Sequence, residues 1–567
     1  MAFPSYDFII VGGGTSGCLL AHRLAHAPSR PSVLIVEAGG QPEGDTLRAP
    51  YYRYTPASTR QDLDHGYATV PQKELGGREI PFTRGKGLGG SSILNFMVYL
   101  YGSKEDYNRW AELVGDESWK WAEVQELFKK IEDFDITGAK NYSHLANPDP
   151  ENHGKGGTIK ICLPPVLEQG TELILEAITK NGPPVNLDFN SGNPVGVGIS
   201  PVSYSKEGRT TSATAHLVGA PDNLAIWIDA PVHQLIFEGD RVVGVEAADG
   251  RKATAGKEVI LSAGALDSPK LLLLSGIGPA KELEGLGISV VKDLPGVGKH
   301  LQDHVLAFLC AEVKGNPLNN KYAFEKDATL ILEAQALWEK NYSGDFTRHN
   351  NTSWAGFLKV PDMEHLLEYK ALDEGWREFL SRDAVPHYEF IGNNILMPPD
   401  AQLDEGNGYL CVGSFLMNPL SEGSLTLRSA NPEDKPLIDP AYLNHPLDKR
   451  LFIEGIRQTW QMLFENPDIK KHIKRKLRGP ASLSDEDIVE FIKTAATTVW
   501  HANGSVKMGK KDDPLACVDS DCRVYGVEGL RVVDLSVCPL TTNNHTQATA
   551  YLIGEKVAEK MIVEYEL

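Results

Sequence analysis

Fully apolar runs and amphipathic stretches alternate over the first forty residues. Phe8-Ile9-Ile10-Val11 is apolar at every position, the pattern of a strand covered on both faces. Cys18 to Ala25 places apolar residues at helical spacing, and Ser32 to Val36 is a second apolar run. The segment therefore predicts β-α-β, with Gly12-Gly13-Gly14-Thr15-Ser16-Gly17 at the turn into the helix. Residues 105–135 mix charged and apolar positions as surface helices do. Residues 138–158, rich in Asn, Pro, Gly and His, read as a loop or a crossing between domains. Shorter strands follow at Leu224–Ile228, at Val232–Phe237 and, after the turn Glu238-Gly239-Asp240, at Val242–Glu246. Val259 to Ser262 is apolar enough for another buried strand. Residues 313–490 are polar and irregular, and the last eighty residues return to strand, turn and helix. The two ends share a style that the middle lacks, which argues for a discontinuous unit interrupted by a second domain.

At 567 residues the chain exceeds one ordinary core. Its 56 basic and 76 acidic side chains leave a formal charge of −20, which repels phosphate backbones and excludes nucleic acid as an expected partner. The seven cysteines form no framework, and Cys517 with Cys522 has neither metal nor redox spacing. They read as reduced thiols, with no metal centre, as suits a cytosol. Met1 to Tyr6 leads directly into the first strand without a secretory leader, and no window reaches the roughly 18 apolar residues of a membrane span. The expectation is a cytoplasmic protein with no membrane partner, in which the triplets at Asn141 and Asn351 are chance glycosylation matches.

The turn carries chemistry. Gly12-x-Gly14-x-x-Gly17 lies between strand and helix, and Glu37 ends the next strand twenty residues after Gly17. Gly12 permits the tight turn, Gly14 admits a pyrophosphate against the backbone, and Gly17 lets the helix pack on the sheet. The helix start, with Thr15 and Ser16, offers free N–H groups and partial positive charge to phosphates. Glu37, followed by Ala38, is placed to accept from a ribose 2′-OH, which favours FAD or NAD over NADP.

Arg84-Gly-Lys-Gly-Leu88-Gly89-Gly90-Ser91-Ser92-Ile-Leu-Asn95-Phe96-Met97 resembles the first signature of the glucose-methanol-choline (GMC) oxidoreductases, and Gly264-Ala-Leu-Asp-Ser268-Pro269 through Gly278 resembles the second. Gly296 to His304 and the segments around Trp500-His501 and Asp534 resemble further blocks, in the family's order. The resemblance implies FAD, and an α/β fold in which a Rossmann-like FAD-binding domain (residues 1–155, 195–312 and 490–567) is interleaved with an α+β substrate domain built on an antiparallel sheet (156–194 and 313–489). It implies cofactor contacts at Arg84, Gly89, Gly90, Ser91, Asn95, Phe96, Met97, Ala263, Gly264 and Trp500. It also implies an adenine contact through the backbone of Val232, a diphosphate or ribityl contact through Asp534 and Leu535, and a flavin contact through His545 and Thr546. Some members bind flavin covalently through a histidine where this chain has Leu94, so dissociable FAD is expected. Pro269 is expected to start a helix packed by Leu271 to Leu274.

Trp500-His501-Ala-Asn-Gly504-Ser505 resembles the family's first histidine element, and His545 falls at its second catalytic position, the start of the last helix. Oxidising an alcohol moves a hydride to flavin N5 and a proton to a base, and imidazole, with an unperturbed pKa near ~6.5, takes a proton at neutral pH. His501 is read as the base and His545 as its orienting, charge-stabilising partner, with the reverse open. A small-molecule alcohol is the expected substrate, and dioxygen or another acceptor reoxidises the flavin. A lyase or cyclase using the histidines for acid–base work alone, and a silent FAD-binding partner, are the alternatives. His304 is read as structural, while His387 stays open between a structural role and a place in the pocket wall. Phe96, Trp354 and Phe357 are candidates for that wall. Asp64-His65-Gly66-Tyr67 lacks a tryptophan usual in the family's lid region.

Overall fold

The computed structural model describes residues 3–348, 353–392 and 401–567; Met1 and the Asn351 triplet's first two residues lie outside them. The predicted β-α-β unit is the heart of the first of two seven-stranded sheets. Its spatial order is Leu224–Trp227, Val33–Val36, Ser5–Val11, Lys252–Leu261, Arg241–Ala247 and Val232–Glu238, with Leu530–Val532 also pairing with Lys252–Leu261. On the edge away from Ser5–Val11, Lys252–Leu261 serves two neighbours. Its first residues join the antiparallel hairpin through Gly244 opposite Thr254, and its last three run parallel to Leu530–Val532. Phe8, Ile9, Ile10, Leu34, Ile35 and Val259 to Leu261 are fully buried. Each such side chain contributes roughly 1.5–3 kcal/mol. Helices cover the sheet, and Thr15–Ala25 packs against the last helix, Gln547–Glu564. The carboxyl ends of the parallel strands form a crevice, where open α/β sheets bind ligands.

The second sheet is antiparallel, in the order Ile473–Arg478, Val305–Val313, Gly408–Leu416, Tyr388–Gly392, Trp354–Leu358 and Gly196–Ile199, with Thr497–Thr498 also on Val305–Val313. Its strands Gly196–Ile199 and Val305–Val313 come from the 195–312 segment and its first residue beyond. Side chains alternate between two buried faces. Ala307, Leu309, Tyr388, Phe390, Leu410 and Val412 belong to the main core, on the side of the helix Pro446–Phe464. Leu306, Phe308, Ile391 and Phe415 belong to a separate cluster on the opposite face. Both faces are apolar, so the strands show no polar alternation. For that reason residues 313–490 look irregular as sequence although they hold most of a sheet.

The second signature forms the helix Gly264–Leu274, which places Pro269 in its interior rather than at its start. Proline removes the N–H that would bond to Ala265 O. Ser505 Oγ supplies the replacement, donating to that carbonyl at 2.5 Å. Leu271 to Leu273 are buried as expected.

Candidate active site

Two adjoining clefts occupy the crevice. The first, about 350 Å³, is lined by Gly12, Gly14, Thr15, Ser16, Glu37, Ala38, Arg84, Gly90, Ser91, Val232, Ala263, Gly264, Asp534 and Leu535. Gly12 has φ 103°, and a Cβ on it would lie 2.4 Å from Ser262 O. A Cβ on Gly17 would lie 2.1 Å from Gly12 O. Gly14 differs, because a Cβ there would make only ordinary contacts, the nearest at 3.7 Å, and the residue lines the first cleft. The glycine-rich loops meet directly, with Gly89 N donating to Gly13 O at 2.7 Å. Gly17 and Gly89 thus serve close packing and line neither cleft.

The helix Thr15–Ala25 starts at Gly14 with no side-chain cap and no acidic residue in its first turn, so its N–H groups point at the cleft unopposed. Glu37, 6 % exposed, accepts from three backbone N–H groups, Gly13 at 2.9 Å, Gly39 at 2.8 Å and Gly87 at 3.0 Å. A carboxylate has about four acceptor sites, so one remains for a ligand. Asp534 accepts from Gly264 N at 2.9 Å, Ser268 Oγ at 2.6 Å and Ser536 N at 2.8 Å. Burial pushes its carboxyl upward despite those bonds.

The second cleft, about 140 Å³, shares Thr15, Arg84, Ser91 and Leu535 with the first and adds Asn95, Phe96, Met97, Trp500, His501, His545 and Thr546. Leu94 also lines it. Sequence separation of hundreds of residues closes here. The rings of His501 and His545 stand 5.1 Å apart between centroids at 78°. His501 follows Trp500, a non-glycine residue at φ 62°, a conformation that persists only where the surroundings enforce it. They do so through three bonds. Trp500 N donates to Thr498 Oγ1 at 2.7 Å, Arg84 donates to Trp500 O, and His501 N donates to Asp303 Oδ1 at 2.7 Å.

Behind each catalytic candidate stands a group that sequence reading missed. His304 Nδ1 lies 2.9 Å from His501 Nδ1, so the histidine read as structural is a direct partner of that ring. His545 Nε2 lies 2.9 Å from Glu389 Oε1. Glu389 is 1 % exposed and leaves its strand on the same side as Ile391, toward the cleft. Burial, reinforced by His545, lowers His304 to about 3. Burial, then His545, His304 and Arg84, holds His501 well below the ordinary imidazole value. Burial also lifts Asp303 to about 6. The block from Gly296 to His304 was visible in the sequence; nothing in the sequence marks Glu389.

His387 belongs outside the site. Its Nδ1 accepts from Val360 N at 2.9 Å, so its Nε2–H donates to Leu380 O at 3.0 Å. Burial lowers it to about 4. Of the three aromatic wall candidates, only Phe96 lines the cleft. Trp354 is fully buried on the far face of the second sheet, and Phe357 is fully buried within it. His65 and Tyr67 stack at 5.5 Å in the first cleft, and Tyr67 donates to Asp267 at 2.6 Å. The segment that lacks tryptophan is thus anchored by tyrosine.

Residues 6–306 match the N-terminal family model of the GMC oxidoreductases, and residues 419–554 match the C-terminal one. This chain belongs to the GMC oxidoreductase family. A similar relative is an alcohol dehydrogenase [acceptor] of Pseudomonas putida, 35% identical across 99% of this chain and 96% of its own. Another is an oxygen-dependent choline dehydrogenase of Brucella anthropi, 33% identical across 98% of this chain and 95% of its own. A structure of a variant Aspergillus oryzae formate oxidase, from work on its FAD modification, superposes with a TM-score of 0.89 at 27% identity, covering 99% of each chain. The two sheets described above are the Rossmann-like unit and the antiparallel substrate sheet of a GMC oxidoreductase. Among the described residues, no helix is long and apolar enough to cross a membrane.

Proposed function

We propose that this GMC oxidoreductase oxidises an alcohol to an aldehyde or ketone with FAD held non-covalently in the first cleft, its domains dividing as expected except that Gly196–Ile199, Val305–Val313 and Thr497–Thr498 go with the substrate sheet. The residues present fit that cofactor. The uncapped helix start and Gly14 on the cleft wall suit a diphosphate, and the remaining acceptor site of Glu37 suits a ribose hydroxyl. In the second cleft, Trp500 Nε1 and Gln547 Nε2 are buried donors without partners among the described residues, matching the acceptor-rich edge of a flavin ring. The helix Gln547–Glu564 begins there with no side-chain cap, and Leu94 offers no nucleophile for a covalent link. Bound FAD supplies the hydride acceptor, regenerated by dioxygen or another oxidant.

The chain supplies the proton chemistry. His501 serves as base through Nε2, which requires its proton to sit on Nδ1 and to be given to His304 Nδ1. Burial keeps His501 neutral and ready to accept. His545 gives Nε2–H to Glu389, whose carboxylate offsets positive charge on that ring, so His545 orients the substrate oxygen and stabilises charge beside it. Arg84 has no ion-pair partner among the described residues and faces both clefts. The observation that carries the reading is the pair of facing imidazoles in a cleft continuous with the dinucleotide crevice.

Mixing FAD-loaded enzyme anaerobically with a panel of alcohols tests it. Bleaching by an alcohol and recovery of colour in air are expected. Conversion of a hydroxylated compound without bleaching would instead establish the lyase or cyclase reading.

A further inference from the structure

We infer that the substrate is an uncharged primary alcohol with an apolar body, of benzylic or short aliphatic type, and neither a sugar nor a quaternary ammonium alcohol. The inference rests on the alcohol-oxidation reading above and concerns what the second cleft accepts. Its wall opposite the glycine loops comes from one face of the antiparallel sheet, which contributes Leu306, Phe308, Ile391 and Phe415. The facing segment adds Tyr54 and Phe96, whose rings lie 4.2 Å apart.

The polar atoms of the wall are largely committed. Asn95 Oδ1 accepts from Met97 N at 3.0 Å and from Arg209 at 2.8 Å, while its amide nitrogen donates to Gln547. Arg84 donates to the carbonyls of Thr83 and Trp500. The histidine nitrogens that remain, His501 Nε2 and His545 Nδ1, match one hydroxyl. Once Trp500 Nε1 and Gln547 Nε2 are turned to the flavin edge, a sugar would bring more hydroxyls than the remaining polar groups of the wall can pair, and the surplus would lose its water without compensation.

Charge decides against an ammonium group. No Asp or Glu lines the cleft among the described residues, and the carboxylate of Glu389 is turned onto His545. Arg84 lines the same space with no ion pair among the described residues, its charge offset in part by Asp303, Asp64 and Asp267. Aromatic faces attract cations, but the repulsion between two full charges falls off more slowly with distance than attraction to a ring quadrupole, and it acts in a buried, weakly screened site.

The test compares flavin bleaching rates of the FAD-loaded enzyme, without oxygen and at equal concentrations, for benzyl alcohol, 1-hexanol, glucose and choline. Benzyl alcohol or 1-hexanol should bleach at least about 100-fold faster than glucose or choline. Glucose or choline bleaching as fast as benzyl alcohol would overturn the substrate class and leave alcohol oxidation standing. Flavin that dithionite bleaches but no alcohol does would overturn both. A second measurement uses Phe308→Ala. It should lower the rate for benzyl alcohol about tenfold more than the rate for ethanol, whose carbon chain cannot reach that ring. Equal losses for the two alcohols would show that Phe308 supports the fold and does not read the substrate.

Discussion

His304 and His501 share a single hydrogen bond between like nitrogens, Nδ1 to Nδ1 at 2.9 Å, and only one of the two can hold the proton. If His501 presents a bare Nε2 to substrate, His304 must carry its proton on Nε2, a buried atom without a partner. On the proposed mechanism His304 is then a positioning residue, its Nδ1 accepting the proton that sets the tautomer of His501. His304→Phe should lower kcat by about ten- to a hundredfold with little change in KM, and should move the acid limb of the kcat profile. His304→Asn, whose side-chain oxygen replaces Nδ1 as acceptor, should recover much of the rate. Steady-state kinetics across pH check this. A loss equal in both variants with an unmoved profile would mean that the ring only fills space.

Burial holds His501 below the ordinary imidazole value. The acid limb that reports this base should consequently lie below pH ~6.5 in kcat/KM. A limb above that value would assign the base elsewhere.

Glu389, itself 1 % exposed, accepts from the partly buried His545 at 2.9 Å. Glu389→Gln keeps an acceptor oxygen but removes the charge, and should reduce kcat about tenfold while leaving FAD content unchanged. Glu389→Leu removes both and should reduce it further. Flavin absorbance per chain separates a catalytic loss from a folding loss.

Three glycines of one loop should respond differently to a methyl group. At Gly12 and Gly17 the methyl would lie 2.4 Å and 2.1 Å from backbone oxygens, so either alanine variant should lower Tm even without FAD. At Gly14 the nearest atom is 3.7 Å away, so Gly14→Ala should keep the Tm of the FAD-free protein and lose FAD affinity. Titration with FAD and thermal melts of the stripped protein distinguish the two patterns.

Leu94 lines the second cleft and offers no nucleophile at the position where the family resemblance puts a covalent link. Acid precipitation should leave all the flavin in the supernatant. Yellow colour retained in the pellet would refute dissociable binding.

Acid should destabilise the fold through its buried neutral imidazoles. Burial lowers His216 and His304 to about 3, and His300 and His387 to about 4. In the unfolded chain these groups take up protons near pH ~6.5. Between that pH and their folded values the unfolded state binds more protons, so stability falls as pH falls. Asp106, raised to about 7, and Asp303, raised to about 6, act in the opposite sense over part of the window. His153, raised to about 9 by Asp188 and Glu132 against its burial, loses its contribution only on the alkaline side. The FAD-free Tm should therefore drop from pH 6.5 toward 4, and His387→Gln should flatten the slope. An unchanged slope in that variant would remove His387 from the account.

The glycine turn, the apolar strands around it and the order of the family blocks were legible because their requirements are local. A turn at φ 103° with a backbone oxygen 2.4 Å from any Cβ admits only glycine, and Phe8 to Val11 is covered on both faces whatever lies above it. The second sheet was hidden because both its faces are buried and its strands lack polar alternation. His304 was legible as part of a block and misread in role. Glu389 was not legible at all, since its meaning comes from His545, 156 positions later.

What the sequence determined by itself was the glycine-rich crevice, because its backbone conformation is written within a few neighbouring residues; the two imidazoles were marked by the resemblance of their segments to the family's blocks. Which groups back those imidazoles, and what the cleft before them accepts, was decided only when the two sheets packed. Hydrogen bonds and apolar walls depend on distances of a few ångströms between segments that the chain order keeps far apart.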